Sequence, residues 1–349
     1  MNALPFVIPI IILNWNGFED TVECLESVFK QTYKNFEVWL VDNASANDEL
    51  VQLKKRFGSD PRIHFIQNAT NLGFAAGCNT IMKQLLERKQ YSYIALLNND
   101  TSLDPDWLKN LLESAGHHCA GMAGSKILNY YKRDTLDNVG HTFLNTGEIL
   151  PIGSSQPAAH YNSRMETWGA CAGACLYSVK MLEDVGLFDP YFKTGYEDAE
   201  LGVRARVLGY KCVFEPSAVV YHKVSQSIKK IRDFAYILKL DNNIHYSYFK
   251  LMPPLVLFAN LPFILMKILG VTLTALFFLR FQIAKVIVTS LLHLLVKDLG
   301  KILEARKEFM KKKHISSFRI LKEQEFFLFY YLKYFNRFIL KGEKTVFEK

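Results

Sequence analysis

Phe6-Val7-Ile8-Pro9-Ile10-Ile11-Ile12-Leu13 is the stretch whose reading decides the fold. It is almost wholly apolar and rich in isoleucine, yet far shorter than the ~20 residues a membrane helix requires. That combination predicts a strand buried on both faces, and hence a parallel sheet with helices on each side. The pattern then repeats. A helix over residues 19–31 places Val22, Leu25, Val28 and Phe29 on one face. Strands are predicted at 36–41, 63–66 and 93–97, alternating with helices at 48–57 and 79–88. Such alternation means a doubly wound α/β sheet. Ligands bind such sheets beyond the carboxyl ends of the strands. Those ends are Asn14-Trp15-Asn16-Gly17, Asp42-Asn43-Ala44-Ser45, the segment 68–77 and Asn98-Asn99-Asp100-Thr101. After a helix near 105–115 the periodicity weakens into Gly-rich β-like pieces over 120–153, and a second ordered block follows at 168–222.

The composition bounds the class. The chain has 349 residues, 50% of them apolar, with 19 Gly and 11 Pro, which excludes a disordered tail, a collagen-like fibre and a small disulfide scaffold. Its formal charge of +8 is unevenly placed: residues 228–349 hold 22 Lys and Arg against 9 Asp and Glu, so the front part is net acidic. An acidic front suits chemistry that gathers a metal ion; a basic, very apolar back suits an anionic surface. The composition there shifts to Leu, Phe, Ile, Lys and Tyr, and two domains are expected, 1–227 and 228–349. Six scattered cysteines (Cys24, Cys78, Cys119, Cys171, Cys175, Cys212) lack the spacing of a zinc site and read as small hydrophobes in a reducing compartment. The N-terminus has no basic region ahead of its apolar run, unlike a secretory signal.

Four motifs carry chemistry, each with a plainer structural reading beside it. Asp42, at a strand end, can accept the N–H of a pyrimidine or bind a ribose hydroxyl, or simply form a turn. No G-x-G-x-x-G follows the first strand, which argues against a dinucleotide site. The run Asn68 to Asn79, with Gly73 and Gly77, is either a helix start or a loop whose backbone lies against a ligand. Asn98-Asn99-Asp100 offers oxygen ligands for Mg²⁺ or Mn²⁺ beside a diphosphate, or a turn. Gly195-Tyr196-Glu197-Asp198-Ala199-Glu200 through Arg204, Arg206 and Gly209 is the most informative. Its carboxylates open a helix at the positive end of the dipole, near the small-residue stretch Gly169-Ala170-Cys171-Ala172-Gly173-Ala174, which would leave room for a substrate. His222, after a strand-like 218–221, is a candidate metal ligand.

In that order these motifs resemble family 2 glycosyltransferases of the GT-A fold, and within them the rhamnosyltransferase-like branch that builds bacterial surface polysaccharides. The resemblance covers roughly residues 5–225. It implies a GT-A type doubly wound mixed sheet followed by a basic, apolar helical region. It further implies a donor site at Asn14, Asn16, Asp42, Asn71, Gly73, Asn98, Asn99 and Asp100, with Asp42 on the base or ribose. Asp100 and His222 would coordinate a divalent metal, Mg²⁺ or Mn²⁺, on the donor diphosphate. Asp198 would be the general base and Glu197 would shape the acceptor site together with Trp168, Gly169, Gly173, Ala174 and Arg204; Arg204 and Arg206 would orient acidic groups or neutralise phosphate. Asn98 replaces the first Asp of the family's D-x-D motif. The implied reaction is inverting transfer of a sugar such as rhamnose from a dTDP or UDP donor to a saccharide acceptor on a polyprenyl diphosphate. A membrane-bound nucleotide-sugar-binding protein without catalysis is the alternative, and a nucleotidyltransferase lacks its Gly/Arg-rich loop here.

In the back part, 255–279 carries one charge, Lys267, whose cost of about +3 kcal/mol makes a membrane span marginal. The run 281–296 is about 24 Å as a helix against a hydrocarbon core of roughly 30 Å, and contains Lys285 and His293, which favours the interface. The aromatic and basic run 326–338 and Lys311-Lys312-Lys313 favour anionic headgroups over nucleic acid. The expected location is the cytoplasmic face of the inner membrane, peripheral or with one marginal span, and a homo-oligomer is left open.

Overall fold

The computed structural model describes residues 6–192, 195–223, 234–312, 314–334 and 336. The apolar runs form the strands they predict: β1 Ile8–Asn14, β2 Phe36–Asp42, β3 Ile63–Gln67 and β4 Tyr93–Asn98, all parallel in the order β4-β1-β2-β3. Between them run α1 Phe18–Phe29, α2 Glu49–Phe57 and α3 Gly73–Arg88. Ile8, Ile10 and Ile12 are fully buried on the face where Val22, Leu25 and Val28 of α1 pack, as both-faced burial requires.

The sheet continues past β4 with mixed polarity. β5 Thr101–Leu103 and α4 Trp107–His118 lead to β6 Met122–Asn129; β7 is Leu136–Asn138 and β10 is Met165–Thr167. β11 Ala174–Ser178 runs antiparallel between β4 and β6, and β12 Cys212–His222 runs parallel to β6 with a bulge between Glu215 and Val219. α5 Val179–Val185 and α6 Glu197–Val207 precede β12. The segment read as weakly periodic thus contains a buried eight-residue strand, β6. The strand-like 218–221 is only the end of an eleven-residue strand.

α3 begins at Gly73, six residues before the expected start at Asn79. Ala75 and Gly77 therefore lie within the helix. A Cβ on Gly77 would lie 2.9 Å from Leu13 Cδ1, so that glycine permits close packing of helix on strand rather than approach to a ligand.

The chain divides into two compact units: residues 1–141, 151–206 and 210–224 form one, and 142–150, 207–209 and 225–349 the other. The first holds the large sheet. The second contains α7 Phe234–Leu251, α8 Pro254–Phe277, α9 Phe281–Leu292, a π-helical segment His293–Asp298, α10 Leu299–Phe309, α11 Ser317–Glu323 and α12 Phe327–Tyr334. It also takes in 142–150 from the front part, where β8 His141–Phe143 and β9 Ile149–Pro151 form a two-stranded sheet. Of the aromatic run 326–338, residues 335 and 337–338 lie outside the described residues, as does Lys313.

Candidate active site

Parallel pairing sets Asn14 beside Asp42 and Leu13 beside Asn98, so the ends of β1, β2 and β4 share one rim. Asn14 is fully buried. Its amide donates to Asp42 Oδ1 (3.0 Å) and Glu49 Oε2 (3.0 Å), and its Oδ1 accepts from Thr21 Oγ1 (2.8 Å). Asp42, 1% exposed, also accepts from the Ser45 backbone N–H at 3.1 Å. Expected as direct donor contacts, Asn14 and Asp42 instead form a buried frame under the rim, because a strand-end polar group without such partners would be stranded in the core. Asn99 joins that frame by donating to Thr21 Oγ1 at 2.9 Å.

Above the frame two left-handed residues, Asn16 (φ 51°) and Ala44 (φ 62°), turn the loops. The loops are laced together: the Asn16 N–H donates to Ser45 Oγ (2.9 Å) and the Ala46 N–H to Asn16 Oδ1 (2.8 Å). Asn43 accepts from Asn68 Nδ2 (3.0 Å) and donates to Asn71 Oδ1 (2.9 Å), which accepts the Gly73 N–H at 2.8 Å. Gly73 has φ +76°, a conformation that favours glycine. Asn16 and Asn71 remain exposed on this rim. Asn43, Asn68, Ser45 and Glu49 hold it in place. Asn43, Ser45 and Asn68 lie in the strand-end segments the sequence marks out, whereas Glu49, on the first turn of α2, carries no signal that separates it from an ordinary helix-start carboxylate.

Antiparallel pairing of β5 with β12 sets His222 against Thr101 and so brings Asp100 to it. His222 Nε2 lies 3.2 Å from Asp100 Oδ1, and Nδ1 lies 2.7 Å from Asp137 Oδ2 on β7. Burial opposes the imidazolium, but the two carboxylates outweigh it and hold His222 at about 10. Burial likewise opposes the Asp100 carboxylate, and His222 outweighs it, leaving Asp100 below its usual range. Among the described residues no three metal-ligating side chains are grouped for an ion. The pair nevertheless fits a divalent cation that takes most of its ligands from a diphosphate: His222 Nε2 and Asp100 Oδ1 face each other across 3.2 Å, where a cation would displace the ring proton they now share, and Asp137 fixes the opposite nitrogen. Asp137 was not foreseen; it lies in the weakly periodic stretch, and only the pairing of β7 with β6 brings it near.

Asn98 connects this pair to the other half of the site. Its N–H donates to Gly173 O at 2.8 Å, and one residue back the Ala172 N–H donates to Asp198 Oδ2 at 2.9 Å. The Ala199 N–H donates to Asp198 Oδ1 at 2.7 Å, so one backbone donor from the loop before β11 and one from the start of α6 hold the carboxylate. The Asp198 side chain keeps 17% exposure, and His141 Nε2 stands 4.0 Å from Oδ2. Burial lowers the His141 titration below the usual imidazole range against the pull of Asp198, which keeps that ring neutral. His141, too, escaped the sequence reading. Glu197, beside Asp198, is 5% exposed.

The expected acceptor residues need correction. Trp168, Gly169, Gly173 and Ala174 are all buried, and only Cys171 in that stretch is partly exposed. A Cβ on Gly169 would lie 2.8 Å from Gly202 Cα, so the small residues let the loop and α6 touch backbone to backbone. Arg204 also turns inward. Its Nη2 is 2.8 Å from Glu200 Oε2 and donates to Leu187 O (2.7 Å), and Nη1 donates to Val185 O (3.0 Å). Arg206 pairs with Glu166 of β10 at 2.7 Å. Both arginines fasten α6 to its neighbours.

Comparison with known proteins agrees with this geometry. Over 227 residues, 62% of the chain, it is 28% identical to the O-antigen biosynthesis protein RfbC of Myxococcus xanthus, and it spans only 17% of that protein's length. It is 24% identical over 225 residues to the amylovoran biosynthesis glycosyltransferase AmsB of Erwinia amylovora, covering 62% of this chain and 70% of AmsB. Its fold is similar to that of the mannosyltransferase PcManGT from Pyrobaculum calidifontis, solved in complex with GDP-Man and Mn²⁺, with a TM-score of 0.52, 14% identity, and coverage of 88% and 86% of the two chains. The profile described as Glycosyl transferase family 2 matches residues 10–186, half of the chain. With the mixed sheet, the laced strand-end loops and the held carboxylate of α6, this match means that the chain belongs to glycosyl transferase family 2.

Proposed function

We propose that the protein is an inverting glycosyltransferase acting in bacterial surface polysaccharide synthesis. In this reading it moves a sugar, rhamnose by resemblance, from a dTDP or UDP donor to a saccharide hydroxyl carried on a polyprenyl diphosphate. The observation that carries the reading is Asp198: a partly exposed carboxylate fixed by the Ala172 and Ala199 N–H groups, one residue along the chain from the contact to Asn98. A carboxylate held by two donors is correctly aimed, which suits a base that takes the acceptor proton as the hydroxyl attacks.

The donor would lie on the rim, against the exposed faces of Asn16 and Asn71, with Asn14 and Asp42 keeping the loops in shape. Asp100 and His222 would hold a divalent cation, Mg²⁺ or Mn²⁺, which when bound neutralises charge on the leaving diphosphate. Asp137 would keep the His222 ring turned toward Asp100. One displacement opposite the departing diphosphate inverts the anomeric centre, and no carboxylate nucleophile is needed, unlike the two-step retaining route. The acceptor's lipid places the reaction at the cytoplasmic leaflet.

The test pairs a panel of UDP-, dTDP- and GDP-sugars with wild-type protein and Asp198→Asn. Transfer should fall by about 10²–10⁴-fold while donor binding, read as a thermal shift, is unchanged. Near wild-type turnover in the variant would remove Asp198 from the role of base.

A further inference from the structure

α8 has the inverse of the polarity expected of a helix on a soluble protein. It runs for 24 residues, and only 17% of its most apolar window is buried. Its inward stripe is Val256, Asn260, Ile264 and Ala275, with Lys267 between them. Within the same unit Asn260 donates to the Tyr248 hydroxyl (2.9 Å) and to Gln324 Oε1 (2.8 Å). Lys267 donates to Glu148 Oε1 at 2.7 Å, with the two side chains only 12% and 6% exposed. The outward residues are apolar: Leu255, Phe258, Leu265, Leu269 and Leu273 are 48–77% exposed. At the turn into α9, Phe277, Phe278 and Leu279 are 64–81% exposed. The one charge of α8 is thus taken up inside the unit, and no charge on this helix faces outward.

We infer that α8 lies in the plane of a membrane, with this outward face sunk into a single leaflet of an anionic bilayer. This rests on the membrane location proposed above and goes beyond it. The orientation follows from Glu148. Lys267 is near the middle of α8, so a helix standing across the bilayer would put Glu148, with its neighbours Asn145 and Thr146, at the depth of the hydrocarbon centre. Those residues belong to the short segment 142–150, whose two ends, His141 and Pro151, already belong to the sheet-bearing unit. Irregular polar backbone entering the hydrocarbon from a water-soluble sheet is not tolerated. Lying flat, α8 keeps Glu148 on the water side and its leucines in lipid.

Charge selects the occupant. The second unit holds 22 Lys and Arg against 10 Asp and Glu. Arg280 and Lys285 are exposed next to the apolar turn, an arrangement suited to acidic headgroups. A second copy of the chain would set like charge against like.

The test uses full-length protein in a Cys119→Ser background with nitroxide labels at Leu255→Cys, Leu265→Cys or Leu276→Cys, all at exposed positions, bound to vesicles of phosphatidylglycerol and phosphatidylethanolamine. Leu255 and Leu276 are about 31 Å apart along the helix. An in-plane helix gives all three labels one shallow depth, about 5–10 Å below the headgroups, by oxygen against nickel-chelate accessibility. A maximum depth at 265, with 276 reached only by chelate trapped inside the vesicles, would overturn the in-plane arrangement and leave membrane attachment standing. Failure to bind the vesicles at all would overturn this inference together with the membrane location. Transfer to a lipid-free acceptor in that case would show that the glycosyl-transfer reading survives. Phe258→Cys, Leu269→Cys and Leu273→Cys repeat the measurement from a second set of exposed sites.

Discussion

Arg204→Met separates the role that the motif implies from the one the structure gives this residue. Glu200 is fully buried, and its Oε2 accepts from Arg204 Nε (3.2 Å) and Nη2 (2.8 Å). The methionine would leave that carboxylate without its cation and also strand the carbonyls of Val185 and Leu187, which Arg204 now satisfies. Breaking a buried pair by removing one partner costs about 3–5 kcal/mol. For a sheet-bearing unit of roughly 200 residues that corresponds to a fall of about 6–20 °C in melting temperature. The assay is thermal unfolding followed by circular dichroism, with transfer measured per folded molecule at a temperature well below both transitions. Replacing both partners, as Glu200→Leu with Arg204→Met, should recover much of the loss, because no unpaired charge then remains. KM for the acceptor should be unchanged in any variant that folds. A single variant that melts like wild type but binds acceptor poorly would refute the reasoning and return Arg204 to the acceptor site.

Asp137→Asn should weaken divalent-metal affinity or metal-supported transfer by about 10–100-fold with little change in melting, since the aspartate fixes the His222 ring; metal titration measured both by calorimetry and by turnover checks it. Gly202→Ala would set a Cβ 2.5 Å from Gly169 Cα and should destabilise by about 1–3 kcal/mol. Gly116→Ala, with nothing within 4 Å of its new Cβ, should be neutral or stabilising by up to about 1 kcal/mol; denaturant titration compares the two. His141 is held neutral by burial, so the unfolded chain binds its proton more readily, and folding loses stability as pH falls through the unfolded value of about 6.5. His141→Asn should therefore lose less stability than wild type between about pH 7 and 5, by up to about 1.4 kcal/mol per pH unit, and an identical slope in the two proteins would place the ring in water.

The parallel half of the sheet was legible because strands covered on both faces must read as unbroken apolar runs, and β1, β2 and β4 do. β6 and β11 were not, although they are equally buried. β6 contains Gly124, Ser125 and Lys126, and Lys126 reaches Asn162 Oδ1 at 2.7 Å, so its polar residues are satisfied by partners far along the chain. The small-residue stretches were ambiguous for a related reason. A missing Cβ looks the same whether the space is left for a ligand or filled by another backbone, and at Gly77, Gly169 and Gly202 it is filled by protein. Asp100 and His222 could be singled out because their motifs survive as short strings, whereas Asp137 and His141 come beside them and beside Asp198 only through the pairing of β7 and the bridge of His141 to Gly169.

The charges show the same ambiguity at a larger scale, and its resolution changes what the basic half means. Lys267 looked like the residue that makes a membrane helix marginal, since a lysine at the centre of a lipid-facing helix costs about 3 kcal/mol. That figure applies to a lysine without a partner. Glu148 lies 119 residues away in sequence and meets it at 2.7 Å, so the pair enters the interior together and the exposed face of α8 is left apolar. Arg204 and Arg206 are likewise matched inside the sheet-bearing unit by Glu200 and Glu166. A tally of residues treats all of these as surface charge. Once the internal pairs are set aside, the cations that remain outward on the second unit include Arg280 and Lys285, beside the apolar turn. Positive charge at that place costs nothing in water and gains where acidic headgroups meet an apolar edge, which is the setting that the proposed in-plane placement of α8 gives it.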